Sequence, residues 1–237
     1  MNRKYFLPLL AILWVSCQNA EPKKTETGEP SGDTSSVLKD IPLVPPTDTT
    51  DPAVYANYLF RLSEQQEQKG DTTGAIGTLE KLVQPGELTQ ASLRLANLYA
   101  ATLNPKTLNF CNEILAANQE RNAPEPYYFK GVYYDNMGQP DKALKAFDAS
   151  IQSDYNFIDA YLEKGRILYK QKKYNEALKV YQLALTVSNS FADTYYWMGL
   201  CQEALGQKEE ALLNYKRAYG LDKTLKEAKE AADKLSQ

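Results

Sequence analysis

A 34-residue period is the feature of this 237-residue sequence that most restricts its fold. Three segments, 124–157, 158–191 and 192–225, align without a gap, and similar residue types recur in them at five fixed positions. These positions hold Tyr127, Tyr161 and Tyr195; Gly131, Gly165 and Gly199; Ala143, Ala177 and Ala211; Leu144, Leu178 and Leu212; and Phe147, Tyr181 and Tyr215. Such repetition predicts stacked copies of one unit, each burying its apolar face against the next.

The apolar residues within each repeat follow helical spacing. In 127–137 and again in 142–151 they return every three or four positions rather than alternating. Turn sequences separate the two runs of each repeat: Gly138-Gln139-Pro140, Lys172-Lys173 and Gly206-Gln207. Each repeat is therefore predicted to be a helical hairpin.

The recurrent glycines indicate a close contact between helices. Glycine inside a helix costs about 1 kcal/mol relative to alanine, so its return in three equivalent places needs a steric reason. We expect Gly131, Gly165 and Gly199 to let the first helix of each hairpin approach its neighbour. The recurrent alanines would be the small partners on the second helix, and the recurrent rings would fill the space beside them.

The period and its recurring positions resemble the tetratricopeptide repeat, and this resemblance covers 124–225. It implies an all-α fold, a right-handed α-solenoid of helical hairpins with a concave face that holds peptides. Upstream, 52–121 gives two degenerate repeats, in which Ser63 and Ala96 stand where the later repeats have glycine. About five hairpins are expected in total.

A capping helix is expected over 226–237, because a repeat array needs a polar end. Thr224 and Glu227 have the spacing of a capping box. An apolar stripe follows at helical spacing, formed by Leu225, Ala228, Ala232 and Leu235. The other face of this helix is charged.

The N-terminus has the order of a secretory signal. Arg3 and Lys4 precede an apolar run over 5–15, which is too short to span a membrane, and Ser16 and Cys17 follow. This order resembles the bacterial lipoprotein signal, which implies removal of 1–16 and acylation of Cys17. Ordinary signal-peptidase cleavage and an uncleaved short anchor are the alternatives. Because Gln18 stands where an aspartate would resemble an inner-membrane retention signal, residence in the outer membrane is favoured, facing the periplasm or the cell surface.

The segment 17–51 is predicted to be a lipidated, disordered tether. It is rich in Pro, Thr, Ser, Gly and Glu and has few apolar residues to offset the entropy of ordering. As a flexible coil it would reach roughly 30 Å. A partner-binding peptide is the alternative interpretation of this segment.

Several classes of function are disfavoured by composition. The chain has no histidine, which excludes Ser-His-Asp triads, Cys-His pairs and histidine metal sites. It has no glycine-rich phosphate loop and no nucleophile elbow. The net charge of −3, without a basic tract, argues against nucleic acid as a partner. We therefore expect no catalytic activity, no cofactor and no metal, with Cys111 and Cys201 as unbridged, buried side chains.

The resemblance directs attention to the stripe of each first helix that lies opposite its core stripe. The candidate groove residues are Tyr128, Val132, Asp135 and Asn136; Arg166, Tyr169 and Lys170; and Asp193, Tyr196, Trp197 and Leu200. Arg166 and Lys170 are predicted to form a local positive patch between acidic neighbours. For Tyr128 and Tyr196, packing between helices is the alternative to binding.

These features together predict a non-catalytic interaction scaffold or adaptor. It would be tethered to a membrane in the bacterial envelope and would hold a partner protein or peptide in its groove. The alternative is an accessory to glycan or cell-wall processing, in which groove aromatics stack on sugar rings. The lysine–asparagine set with which chaperone adaptors grip a C-terminal carboxylate is not reproduced here.

Overall fold

The computed structural model describes Pro45 and residues 51–236, which lie in the compact unit Leu43–Gln237. The predicted signal segment, the acylation site at Cys17 and most of the predicted tether lie outside the described residues. Over 51–236 the chain is entirely helical, with no strand. None of its helices combines the length and the apolar character needed to cross a bilayer.

Ten of the eleven helices in the described part form five successive hairpins, which confirms the predicted α-solenoid. The helices are α1 (Pro52–Gln68) and α2 (Thr72–Leu82), α3 (Gln90–Ala101) and α4 (Thr107–Ala117), α5 (Pro124–Asn136) and α6 (Pro140–Ser153), α7 (Ile158–Lys170) and α8 (Tyr174–Val187), α9 (Ala192–Ala204) and α10 (Lys208–Leu221), and α11 (Lys226–Leu235). The first helix of each pair is odd-numbered. The last helix, α11, closes the array against α10.

The recurrent glycines lie directly against the recurrent rings. A Cβ atom added to Gly131, Gly165 or Gly199 would lie less than 3.0 Å from the ring of Phe147, Tyr181 or Tyr215, respectively. The ring therefore occupies the space that a side chain on the first helix would need. The three recurrent alanines of the second helices are fully buried, so the predicted close contact exists, and the ring fills it.

The upstream hairpins close with other small residues. Ser63 is fully buried and donates a hydrogen bond from Oγ to the carbonyl oxygen of Phe60, 2.6 Å away. Ala96 is buried with Cys111 and Phe129, so that α3, α4 and α5 share one cluster.

Cys111 and Cys201 are both buried, unbridged thiols, and burial raises the pKa of each to about 12. Both therefore act as small apolar side chains.

The predicted capping box before the last helix is wrong. The helix α11 begins at Lys226 with Leu225 at its N-cap and has no side-chain cap. The hydroxyl of Thr224 instead donates to Oδ1 of Asp222, 2.7 Å away, because a short polar side chain can bond locally in a turn. The predicted apolar stripe does form the contact: Ala228 and Ala232 are buried, and Leu235 packs against the same cluster as Tyr215.

Candidate functional site

The first helices of successive hairpins lie side by side, α3 against α5, α5 against α7 and α7 against α9. Most of the predicted groove residues lie on α5, α7 and α9, and we call the surface that carries them the first-helix face. The helix α11 reaches this face as well, since Nζ of Lys234 lies 3.4 Å from Oε1 of Glu203 on α9.

Aromatic rings form a continuous row that crosses this face, from Tyr174 on α8 to the fully buried Tyr215 on α10. Centroid distances are 5.3 Å from Tyr174 to Tyr169, 5.6 Å from Tyr169 to Trp197, 6.2 Å from Trp197 to Tyr196 and 5.8 Å from Tyr196 to Tyr215. We call these five residues the aromatic row. The structure thus brings together three side chains that the sequence pattern selected on two successive repeats, namely Tyr169, Tyr196 and Trp197. All three are half-buried, so each ring keeps a part of its surface in contact with water.

Tyr128 lies deeper, among packed rings. Its ring is 5.6 Å from Phe129, 5.6 Å from Phe147 and 5.4 Å from Phe157. Burial raises the pKa of its hydroxyl, and the nearby carboxylates of Glu163 and Asp159 add to the rise. Val132 packs with Tyr128 in the clusters on both sides of α5. Both side chains therefore have a packing role, and a binding role for either stays a prediction.

The predicted positive patch is wrong, because its cations are neutralised within the chain. Nη2 of Arg166 lies 2.9 Å from Oδ2 of Asp135, and the same group pairs with Glu163 on its own helix. Burial alone would lower the pKa of Arg166, but these two carboxylates outweigh it and raise that pKa. Nζ of Lys170 lies 3.5 Å from the same Asp135 oxygen. The sequence pattern placed these groups on one stripe but could not show that they pair across helices.

The other predicted groove residues have varied surroundings. Asn136 is exposed, and its Nδ2 donates to the carbonyl oxygen of Ala100 on α3, 3.4 Å away. Leu200 packs against the cluster of Tyr215 and Ala211, while Asp193 is exposed in the first turn of α9. The face is thus apolar in the middle and charged towards the helix starts.

Each of the last four odd-numbered helices carries a carboxylate at its second residue. These residues, the acidic row, are Glu125, Asp159, Asp193 and Glu227. Their spacing equals the repeat period and was visible in the sequence, but only Asp193 was selected there as a candidate. Over residues 51–236, none of the four forms an ion pair.

The acidic row is electrostatically strained. Burial raises the pKa of Glu125, and Asp154 adds to it. Burial likewise raises the pKa of Asp159, with Glu163 and Asp193 adding to it. The pKa of Asp193 also rises, first because the neighbouring groups displace part of its hydration although the side chain stays exposed, and further because Asp222 and Glu227 lie nearby. Like charges therefore face one another along this edge without a compensating cation.

A buried hydroxyl without a partner lies beneath the aromatic row. In the fifth repeat the Oη of Tyr215 donates to Oε2 of Glu203 at 2.8 Å. In the fourth repeat the equivalent Tyr181 hydroxyl is buried and has no hydrogen-bond partner among the described residues. Its neighbours include Cys201, Glu163, Arg166 and Tyr169. This hydroxyl thus lies close to residues of the first-helix face.

Two clefts of about 360 Å³ lie away from this face, one beside Tyr99 and Phe110 and one beside Tyr127 and Ser153. Within the part of the chain that the structure describes, no three His, Cys, Asp or Glu side chains are grouped so that they could hold a metal ion.

Comparison with known proteins identifies the repeats. A model of the tetratricopeptide repeat matches 124–157 and 192–225, and a second TPR model matches 165–206. The chain is 36% identical over 98 residues to tetratricopeptide repeat protein 1 of Schizosaccharomyces pombe, and 32% identical over 88 residues to Hsp70-Hsp90 organizing protein 1 of Glycine max. These matches cover 39% and 37% of this chain but only 9% and 15% of the two relatives.

Solved structures show the same fold. A thermophilic TPR protein of Thermus thermophilus superposes with a TM-score of 0.58 at 15% identity, covering 76% of this chain and 98% of that one. The MamA protein superposes with a TM-score of 0.53 at 20% identity, covering 71% of this chain and 92% of that one. Segments within residues 124–225 therefore match models of the tetratricopeptide repeat, and the described chain shares the α-solenoid fold of these proteins.

Proposed function

We propose that this protein is a non-catalytic adaptor of the bacterial envelope that binds a partner protein on its first-helix face. The observation that carries this proposal is the aromatic row, whose half-buried Tyr169, Tyr196 and Trp197 come from two consecutive first helices. Tyrosine and tryptophan offer a large apolar surface with a polar tip, and they are enriched among the residues that dominate binding energy at protein interfaces.

The comparisons support the general role. Tetratricopeptide proteins serve as scaffolds for protein–protein interaction, and two of the relatives carry the name Hsp70-Hsp90 organizing protein. A chaperone tail is not the partner that we propose here, because the lysine–asparagine set for a terminal carboxylate is missing and the cations of this face are already paired. A non-catalytic role fits the absence of histidine from the sequence.

The same proposal includes a lipid anchor. Acylation of Cys17 after removal of 1–16 would hold the protein at the outer membrane, with 18–51 as a tether between the membrane and the repeats. Several acyl chains on one cysteine make a stable anchor, at about 0.8 kcal/mol for each buried CH₂. Mass spectrometry of the N-terminal peptide tests this. Cys17→Ala should move the protein from the membrane fraction to the soluble fraction, and a Cys17 that carries no acyl chains would contradict the proposal.

Capture of partners in the native envelope tests the binding face. The double variant Tyr169→Ala/Trp197→Ala removes two rings of the aromatic row, and crosslinking followed by mass spectrometry should show loss of the partner. Tyr155→Ala is the matched control, because this ring is 68% exposed and lies in the loop before α7, outside the row. Circular dichroism should remain helical for both variants.

The outcome separates the two candidate functions. Capture that survives loss of both rings would remove the first-helix face as the binding surface. Saturable calorimetric binding of cell-wall fragments, without capture of any protein, would instead favour the glycan-accessory function.

A further inference from the structure

The first-helix face has an excess of carboxylates over cations. The cations at this face are paired within the chain: Arg166 with Asp135 and Glu163, Lys170 with Asp135, and Lys234 with Glu203. The four carboxylates of the acidic row have no such partner in residues 51–236. What remains at the starts of α5, α7, α9 and α11 is therefore unbalanced negative charge.

This charge opposes folding, since the row keeps like charges near one another. Asp193 lies within electrostatic range of Asp159 on one side and of Asp222 and Glu227 on the other. Desolvation also raises the pKa values of Glu125, Asp159 and Asp193. A cation placed along the row would reduce both the repulsion between these carboxylates and the cost of desolvating them.

The aromatic row is a second, independent feature that suits a cationic side chain. Lysine and arginine bind favourably over the faces of tryptophan and tyrosine, and arginine pairs strongly with carboxylates. Trp197 and Tyr196 lie on α9 together with Asp193, and Tyr169 lies on α7 together with Asp159. Rings and carboxylates thus come from the same helices.

Other occupants fit this surface less well. The described carboxylates are not grouped to hold a metal ion. A nucleic acid or an acidic peptide would meet repulsion along the row.

We propose that the first-helix face takes an extended segment of a partner protein in which lysine or arginine side chains alternate with apolar ones. Its cations pair with Asp159, Asp193 and Glu227, and its apolar side chains lie on the half-buried rings of Tyr169, Tyr196 and Trp197. This proposal rests on the proposed function, since it requires that the face bind a protein segment. It adds the chemical class of that segment.

Selection of peptides by the full-length protein in detergent tests two claims: that the face binds a peptide segment, and that this segment is cationic. Random linear peptides displayed on phage are selected against the wild type and against the charge-reversed variant Asp159→Lys/Asp193→Lys. Lysine and arginine should be enriched by the wild type, and aspartate and glutamate by the variant. The control Glu209→Lys/Glu210→Lys has the same change in net charge, but in the exposed first turn of α10, and should still enrich lysine and arginine.

A peptide selected by the wild type then measures how much the two carboxylates contribute to affinity. Its Kd should rise about tenfold with Asp159→Asn/Asp193→Asn, the variant that keeps side-chain size and relieves repulsion, so that loss of folding cannot explain the change. The Kd should also rise between low and physiological salt, since screening weakens exposed pairs.

The failures are distinguishable. If the wild type selects no sequence at all, the proposed function fails. If it selects apolar or acidic sequences that the charge reversal leaves unchanged, the cationic segment is wrong while peptide binding stands. Residues 21–26 of the chain itself contain Lys23 and Lys24. If the selected sequences match this segment, the proposal of a separate partner protein is wrong, and the occupant is the protein's own N-terminal segment.

Discussion

Tyr181 and Tyr215 occupy the same position of successive repeats, yet only one of their hydroxyls is satisfied. The acceptor for Tyr215 is Glu203, and 34 residues earlier Tyr169 stands in its place. The Tyr181 hydroxyl is therefore buried without a partner in the described structure. A buried polar group in this condition costs stability, whereas a satisfied one contributes to it.

Replacing each of these tyrosines by phenylalanine should have opposite effects. Tyr215→Phe loses the hydrogen bond to Glu203 and should lower the free energy of unfolding by about 1 kcal/mol. Tyr181→Phe removes an unpaired hydroxyl and should leave that free energy unchanged or higher. Urea titration followed by circular dichroism measures both. Equal losses in the two variants would mean that Tyr181 has a partner, such as a buried water molecule.

The glycine–ring contact can be separated from helix propensity by two alanine substitutions. Gly165→Ala places a Cβ against the ring of Tyr181, and overpacking should lower the free energy of unfolding by about 1–3 kcal/mol. Gly220→Ala, in α10, places its Cβ where no atom lies within 4 Å. It should raise stability by about 0.5–1 kcal/mol through helix propensity alone. A stabilised Gly165→Ala protein would contradict the contact.

Among the helices, α1 is held to α3 by one cation. Arg94 on α3 pairs with Glu64 and Glu67 on α1, and its guanidinium lies 5.7 Å from the ring centroid of Phe60. The side chains of Arg94 and Glu67 are only 15% and 10% exposed. Removing one partner of such a pair costs more than breaking a solvated pair, because the remaining charge is left poorly solvated and uncompensated.

Removing this cation should loosen the first helix. Arg94→Ala leaves the Glu67 carboxylate poorly solvated and should lower the free energy of unfolding by about 1–3 kcal/mol, with faster amide hydrogen exchange confined to α1 and α2. The control is Lys106→Ala, which breaks an exposed pair with Glu80 and should cost only a few tenths of a kcal/mol. Equal effects of the two substitutions would show that Arg94 does not hold α1 to α3.

For the repeat array as a whole, the acidic row makes stability depend on pH. The pKa values of Glu125, Asp159 and Asp193 are raised in the folded state, so that the folded chain binds more protons than the unfolded chain between the two sets of values. The penalty is fully present above the folded pKa values, and it disappears as the pH falls below the unfolded ones. These three carboxylates therefore destabilise the folded state at neutral pH, and this penalty is relieved in acid.

The neutral variant Asp159→Asn/Asp193→Asn isolates this contribution. It should be more stable than the wild type at about pH 7, and the difference should shrink as the pH falls through the raised pKa values of the two wild-type carboxyls, which then become protonated. Urea unfolding of both proteins across this range measures the difference, in which titration of other groups largely cancels. A difference that does not change with pH would show that repulsion along the row is not its cause.

The sequence by itself determined the helical hairpins and the contact inside each of them. Gly165 and Tyr181 are only 16 residues apart, and the helical period together with a short turn brings them together in every repeat. Regular local spacing was sufficient to predict that contact. At the end of the array, spacing alone gave a wrong prediction: Thr224 had the right spacing for a helix cap, but its hydroxyl donates to Asp222 instead.

Only the tertiary structure decided the chemistry of the first-helix face. Arg166 looked like a cation available for binding until its pairing with Asp135, on the preceding first helix, became visible. Tyr128 belonged to the same stripe as the exposed residues, yet the ring of Phe157, which directly precedes the next first helix, packs against it. Helical period fixes which side of a helix a residue occupies. The offset between stacked hairpins fixes which charges and rings meet, and that offset results from packing of the whole array.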